Sequence, residues 1–251
     1  MKRFIISMFL IVGYALLNSD ANATSYKEEY SCKFYRAYIT GNMEHWPRWI
    51  GELKEEYQLD PSPEVLQDIV KAYYGYIAYS IGVNDYEKAD DFLEEGEVWI
   101  DRLKEGSTYK SAAHAFEGAF LAFEIGMNRA KAVFLGPKSM KQIHTALEIN
   151  PENPMALVEK GNAEYHMPRM FGGSYAKAAE YYEKAIRQFE SNGAQNSCNW
   201  IYLNALAWLA QSYDKSGEEQ KARTTYQKIL SLEPDFKWVK EELFPEFQQQ
   251  H

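Results

Sequence analysis

Five histidines (His45, His114, His144, His166 and His251) and two cysteines are the side chains best suited to acid–base, nucleophilic or metal chemistry. Their spacing does not assemble any of it. The chain has no H-E-x-x-H and no C-x-x-C, so the familiar zinc and redox patterns are missing. It has no G-x-S-x-G nucleophile elbow and no P-loop. Glu55-Glu56 and Glu94-Glu95 are neighbours in helical stretches, so their carboxylates point in different directions and make poor acid–base pairs. His114 and Glu117 stand one helical turn apart and can touch. Glu164 and His166, two apart, can do so only with difficulty. The sequence predicts no catalytic residue, no metal site and no cofactor.

The elements that carry these residues are helical throughout, and strict alternation of apolar and polar residues is absent. Periodicity predicts helices at about 25–40, 43–57, 63–81, 85–104, 108–130, 137–149, 154–166, 174–190, 198–215 and 218–231. Breakers separate them: Gly41-Asn42, Asp60-Pro61-Ser62-Pro63, Gly82-Val83-Asn84-Asp85, Gly106-Ser107, Gly136-Pro137, Asn150-Pro151 and Gly172-Gly173. Paired in order they form about five helix pairs with no low-complexity linker. The expected fold is a single all-α domain over 24–251, a right-handed α-solenoid. The 236–251 segment, with Trp238, Leu243 and Phe244, is expected to cap its C-terminal end.

The first residues read as an address and not as fold. Lys2 and Arg3 precede the apolar run Phe4–Leu17, and Ala21-Asn22-Ala23 supplies small residues at a cleavage site. Residues 1–23 are expected to be a signal peptide, cut after Ala23, because the run is too short for a comfortable membrane span. The remaining chain would then be periplasmic or secreted, with no membrane insertion. A formal charge of −9 argues against nucleic acid or an anionic membrane surface as the main partner. Cys32 falls in the first helix and Cys198 opens a late one. A disulfide needs Cα atoms within about 7 Å, and a solenoid holds distant repeats apart. Two separate, mostly buried thiols are therefore expected.

Counting tests the repeat. Between Leu203 and Pro234, steps of 12, 4, 3 and 5 link Ala210, Ala222, Tyr226, Ile229 and Pro234, with Tyr213 beside the Ser216-Gly217 turn. One unit earlier, Gly161 is followed by Ala178, Tyr182 and Ala185, with the steps of 4 and 3 kept. The pattern resembles the tetratricopeptide repeat, a helix–turn–helix unit of about 34 residues. The match is clearest over 137–236, looser over 63–130, where Gly96 replaces the usual Ala, and weak before 60. The Pro168-x-x-Phe171-Gly172-Gly173 turn, the helix opening Lys177-Ala178 with Tyr181-Tyr182, and Gly136-Pro137-Lys138-Ser139 are similar to segments of exported tetratricopeptide-repeat proteins of Bacteroides-type Gram-negative bacteria. That resemblance implies an envelope setting and no assigned reaction.

Three features bear on binding. On the 108–130 helix, Ala112, Ala115, Ala119 and Ala122 form a small-residue stripe beside Phe116, Phe120, Phe123 and Met127. It is read as a buried helix packed on both sides, or as the floor of a groove. Met167–Gly173 inserts five extra residues between paired helices. It is read as a hydrophobic plug through Phe171, or as a binding loop with Arg169 at its rim. By the repeat's offsets, Lys71, Tyr74, Asn162, Tyr165, Asn204, Gln211 and Lys215 line the concave groove, joined by Arg169. The resemblance implies a non-enzymatic scaffold presenting that groove to a peptide, protein segment or small ligand in the envelope. The competing expectation is an α-solenoid enzyme or a transporter-accessory subunit using polar and carboxylate residues there.

Overall fold

The computed structural model describes residues 29–251, so the expected signal peptide at 1–23 lies outside the described residues. Every regular element described is helical. Helix α1 covers 29–40. It is followed by α2 (Trp46–Leu59), α3 (Pro63–Gly82), α4 (Tyr86–Glu105), α5 (Lys110–Met127), α6 (Ala132–Ile149), α7 (Pro154–His166), α8 (Tyr175–Ser191), α9 (Trp200–Ser216) and α10 (Glu219–Leu232). A π-helical stretch at Trp238–Leu243 then leads into α11 (Phe244–Gln250). Helix α3 packs on α4, α5 on α6, α7 on α8 and α9 on α10, while α3, α5 and α7 lie side by side. The fold is an all-α solenoid of consecutive helix pairs.

Local chemistry sets the boundaries. Ser62, Asp85, Asn153, Ser174 and Asn199 each precede a helix and accept a hydrogen bond from a first-turn backbone N–H. Pro63 and Pro154 occupy the first helical position, where their missing N–H has no helical partner to lose. Gly217 ends α9 in the left-handed conformation, with φ of +83°.

Glycine and alanine set how closely the pairs cross. A Cβ on Gly96 would stand 2.6 Å from the Phe120 ring, and one on Gly161 would stand 2.8 Å from the Tyr182 ring. Gly96 is therefore the proper residue for its crossing, although it departs from the repeat's usual Ala. Helix α5 is a buried helix and not a groove floor: Ala112, Ala115, Phe116, Ala119 and Phe120 are buried, and Gly118 faces Ile143 of α6. Ala122 is exposed and floors no groove.

One boundary and one loop differ from expectation. Helix α6 begins at Ala132, so Pro137 lies inside it and does not open it. The lost hydrogen bond falls near the exposed start of the helix, where Val133 is 77% exposed and water can satisfy the freed carbonyl. The Met167–Gly173 turn is not a plug, because Met170 and Phe171 are 83% and 69% exposed. Its backbone orders it: the Phe171 N–H donates to the Pro168 carbonyl at 2.8 Å, and the Ser174 N–H donates to the Glu164 carbonyl at 2.8 Å. Gly172 takes φ of +102°, and any side chain at Gly173 would collide with the Met167 carbonyl.

The larger correction concerns the two ends. Cys32 and Cys198 are disulfide-bonded, with Cα atoms 4.8 Å apart. Solenoid curvature brings the first and last pairs together, and α1 lies against both. Its Tyr35 donates to Glu233 at 3.0 Å, and its Tyr38 accepts from the Asn204 amide at 2.8 Å. Trp46 is fully buried, 4.8 Å from Phe34 and 5.4 Å from Trp200 by ring centroid. Trp200 in turn stacks on Tyr74 of α3 at 6.1 Å. The inner faces of α3 and α9 thus meet through an aromatic centre, and the N-terminal part of the expected groove is filled by the chain itself.

Candidate functional site

The structure divides the eight groove residues. Tyr74 is buried, and the half-buried Asn162 and Asn204 are engaged within the protein. The Asn162 amide donates to Glu159 at 3.1 Å and lies 3.5 Å from the Tyr74 hydroxyl, while Tyr182 donates to the Asn162 carbonyl oxygen. Lys71 pairs with Asp68 of its own helix at 2.9 Å. Tyr165, Arg169, Gln211 and Lys215 fall together at the open end, where α7, α8, α9 and the segment after α10 converge.

That open end is aromatic. Tyr165 stands 5.1 Å from Tyr175 and 5.0 Å from Trp208, and Trp208 stands 6.1 Å from Trp238. His166 packs its ring 4.9 Å from Tyr165 and 5.1 Å from Trp208. Neighbouring planes cross at 60° to 75°, so faces and edges alternate along the ledge. Tyr165, Tyr175, Trp208 and Trp238 are half-buried, each leaving part of a ring to solvent. The polar rim is mixed in charge, with Arg169 and Lys215 beside Asp214 and Glu246, and it carries the Gln211 amide. The Arg169 guanidinium lies 5.6 Å over the Tyr175 ring, and Lys215 stands 3.6 Å from Asp214.

Burial shapes the protonation of this face. It pushes the Tyr165 phenol up to about 12, with smaller contributions from Tyr175, Asp214 and Glu246. His166 is exposed as a residue, but water lost from the packed side of its ring holds its pKa below the ordinary imidazole value. Deeper in, Glu159 is almost fully buried. Loss of water drives its carboxyl up to about 7, opposed by hydrogen bonds from Tyr74 and Asn162.

Concave space beside the ledge is small. A depression of about 100 Å³ lies beside it, lined by Gln211, Asp214, Lys215, Tyr226, Leu243 and Glu246 among others. A second, of about 240 Å³, sits between Tyr57, Pro63, Arg102 and Tyr109 at a different place in the fold. Both are smaller than the roughly 300–1,000 Å³ typical of small-molecule sites. The one imidazole–carboxylate contact anticipated from spacing is real but engaged. His114 Nδ1 lies 2.7 Å from Gln142 Oε1 and 3.8 Å from Glu117, which Lys104 neutralises at 2.7 Å. Among the described residues no three His, Cys, Asp or Glu side chains are grouped to hold a metal ion, and no helix is long and apolar enough to cross a membrane.

Residues 203–236 match the family model described as tetratricopeptide repeat. The fold is similar to a solved structure, the HusA haemophore from Porphyromonas gingivalis, with a TM-score of 0.65 and 16% identity. The likeness covers 76% of this chain and 93% of that one. This is a tetratricopeptide-repeat-like α-solenoid. No curated protein matches its sequence.

In this repeat-like frame, the residues that sequence reasoning missed are His166, Tyr175, Trp208 and Trp238. A signal for two of them was present. His166 and Trp208 stand four residues after Asn162 and Asn204, one turn further along the same helix face. Extending the groove positions by one turn would have found the ledge. Trp238 had no such signal, because it lies beyond the last repeat.

Proposed function

We propose that this is a binding protein, not an enzyme, and that it captures a flat apolar ligand bearing carboxylates, of the porphyrin class, on the aromatic ledge. The observation that carries the reading is the half-buried series Tyr175, Tyr165, Trp208 and Trp238, with Arg169 at its margin. Ring faces and edges suit a large flat π-system, and the Arg169 guanidinium at the rim suits an acidic group. The fold's likeness to a haemophore supports the choice of ligand class. The shallow, open surface favours capture over chemistry, which needs groups converging around a reacting atom in a water-poor cleft.

We further propose that the protein works outside the cytoplasm, in the periplasm or beyond. The leader-like segment at 1–23 and the Cys32–Cys198 bond support this, since disulfides persist in oxidising compartments. N-terminal sequencing of exported protein should find Thr24 first; intact Met1 would overturn it.

The ligand is tested by titrating purified protein with protoporphyrin IX and following tryptophan fluorescence. Saturable quenching is expected, weakened by about tenfold or more, some 1.4 kcal/mol, in a Trp208→Ala, Trp238→Ala double variant. Unchanged affinity in that variant, with an unchanged circular dichroism melt, would sink the ledge as the site.

A further inference from the structure

We propose that the neighbouring turns after α5 and α7 dock this protein on an anionic lipid surface, lying against it and not crossing it. The proposal stands on residues other than the aromatic ledge, Arg169 apart, and does not depend on the ligand read there.

The two turns share one edge of the solenoid. Helices α5 and α7 lie side by side, and each packs against the helix that follows it. Tyr74 of α3 touches both. Its ring centroid is 5.4 Å from that of Phe123, and its hydroxyl is 3.5 Å from the Asn162 amide. Phe123 and Asn162 each stand four residues before the last residue of their helix, Met127 and His166. The turns at 128–131 and 167–174 therefore leave the fold at the same level.

Their tips are apolar and bare. Val133 and Phe134 lie in the first turn of α6, and Phe134 is 74% exposed. Met170 and Phe171 project in the same way from the next turn. Single exposed apolar residues need no explanation, but a group of them marks a surface that is covered in use. At the opposite edge Leu59, Ile149 and Leu232 stand one to a turn, each next to an acid: Asp60, Glu148 and Glu233.

Charge selects the occupant. Segments 125–147 and 165–179 carry Arg129, Lys131, Lys138, Lys141, Arg169 and Lys177 and no Asp or Glu, in a chain of net charge −9. All six cations are exposed. Lys131 is taken by Glu124 at 2.7 Å, with Asp90 also near it. Among the described residues the other five form no salt bridge. Lys138 and Lys141 follow Phe134 by four and seven residues, so they share its face of α6. The turn after α3 also exposes Val83 and Tyr86, but Asp85, Glu87, Asp90 and Asp91 lie beside them, and we leave it out of the surface.

Projecting apolar side chains among unpaired cations have the chemistry of an interfacial anchor. The apolar tips enter the headgroup layer, and the cations meet lipid phosphates. The tips stand on convex turns, and a fluid headgroup layer accepts them without a matching cavity. The acidic remainder of the chain is screened beyond about 10 Å at 0.1 M salt, so the local cationic edge decides the contact. Arg169 belongs to this edge and to the ledge margin, so docking sets the ledge beside the lipid.

The test is cosedimentation with vesicles of mixed phosphatidylglycerol and phosphatidylcholine, against phosphatidylcholine alone. One variant carries Val133→Ser, Phe134→Ser, Met170→Ser and Phe171→Ser. The other carries Arg129→Gln, Lys138→Gln and Lys141→Gln. Wild type and variants share one N-terminus, so the apolar run Phe4–Leu17 cannot produce a difference between them. Every changed side chain is exposed, so both variants should keep the wild-type melt. Wild type is expected to bind the anionic vesicles about tenfold or more tighter than the zwitterionic ones. Raising salt to about 1 M, where the screening length falls to about 3 Å, should remove that preference. Each variant should bind the anionic vesicles about tenfold or more weakly than wild type. Absence of wild-type binding, or binding that neither variant weakens, overturns the proposal. Sedimentation velocity supplies the other arm: a wild-type dimer that the serine variant lacks, with no vesicle binding, assigns the edge to a second copy of the chain and overturns the lipid assignment.

Discussion

Cys32 on α1 and Cys198 just ahead of α9 are covalently joined across 166 positions of sequence. The bond ties the first helix to the last repeat and holds α1 against the inner face, where Tyr38 meets Asn204 and Trp46 meets Trp200. A solenoid ordinarily lets each repeat contact only its neighbours. Here the two ends share one core, so stability should behave as a closed unit and not as a sum of repeats.

Removing the bond should therefore cost stability. A Cys32→Ser, Cys198→Ser variant should lose about 2–5 kcal/mol, because the closed loop is long and the unfolded chain regains its freedom. Urea unfolding with and without reductant checks this. Reductant should lower the wild-type midpoint and leave the variant unmoved. A wild-type midpoint indifferent to reductant would show that the bond adds nothing.

Helix positions were legible because local chemistry fixes them. The caps at Ser62, Asp85, Asn153, Ser174 and Asn199 are read within a few residues of chain, and so is the Gly217 stop. What touches what across the solenoid was not legible. Tyr30, Phe34 and Tyr38 recur at helical spacing, which says that one face of α1 is buried but not against which partner. Asn162 and Asn204 look like rim residues because amides suit solvent. Their hydrogen-bonding groups are engaged instead by Glu159, Tyr182 and Tyr38, partners from distant segments or from buried positions. Pro137 misled for the opposite reason, since a breaker near an exposed helix start breaks little.

Glu159 predicts a pH dependence. Its folded pKa, about 7, lies above the ordinary carboxyl value of 4.5, so the folded protein binds the proton more tightly than the unfolded chain. Stability from this group is full below about pH 4.5 and is lost as pH rises toward 7. Glu159→Gln keeps the shape without the charge. At pH 4 the two proteins should be nearly equal in stability. By pH 8 the Gln variant should be the more stable by about 2–4 kcal/mol, since each tenfold difference in proton affinity is worth about 1.4 kcal/mol. Parallel melts across that range decide it; a gap that does not change with pH would mean the carboxyl is ordinary.

The Met167–Gly173 turn predicts an absence of effect. Met170 and Phe171 project into solvent, and the turn is held by its backbone. A Met170→Ser, Phe171→Ser variant should melt within about 0.5 kcal/mol of wild type, as surface changes do. A loss of several kcal/mol would restore the plug. Gly173→Ala is the contrast, since its Cβ would fall 1.8 Å from the Met167 carbonyl oxygen, and the turn would have to open.

Gly75 on α3 predicts the tightest contact in the closed core. A Cβ there would stand 2.4 Å from Trp46 Cζ3 and 2.8 Å from Trp200 Cη2. Neither ring can give way easily. Trp46 has no exposed surface and is packed against Phe34, and Trp200 is fixed between Tyr38, Tyr74 and Trp46. Gly75→Ala should overpack the centre and cost about 1–3 kcal/mol, against the usual gain from placing alanine in a helix. Gly126→Ala on α5 serves as the control, because a Cβ there meets nothing within 4 Å, and it should gain about 0.5–1 kcal/mol. Trp46→Leu removes one of the opposing rings, so its combination with Gly75→Ala should cost less than the two changes separately, the mark of residues in contact. Urea midpoints of wild type and the four variants measure each contribution. Equal midpoints for Gly75→Ala and wild type would mean that α3 and α9 do not meet through these tryptophans, and that the groove is open along its whole length.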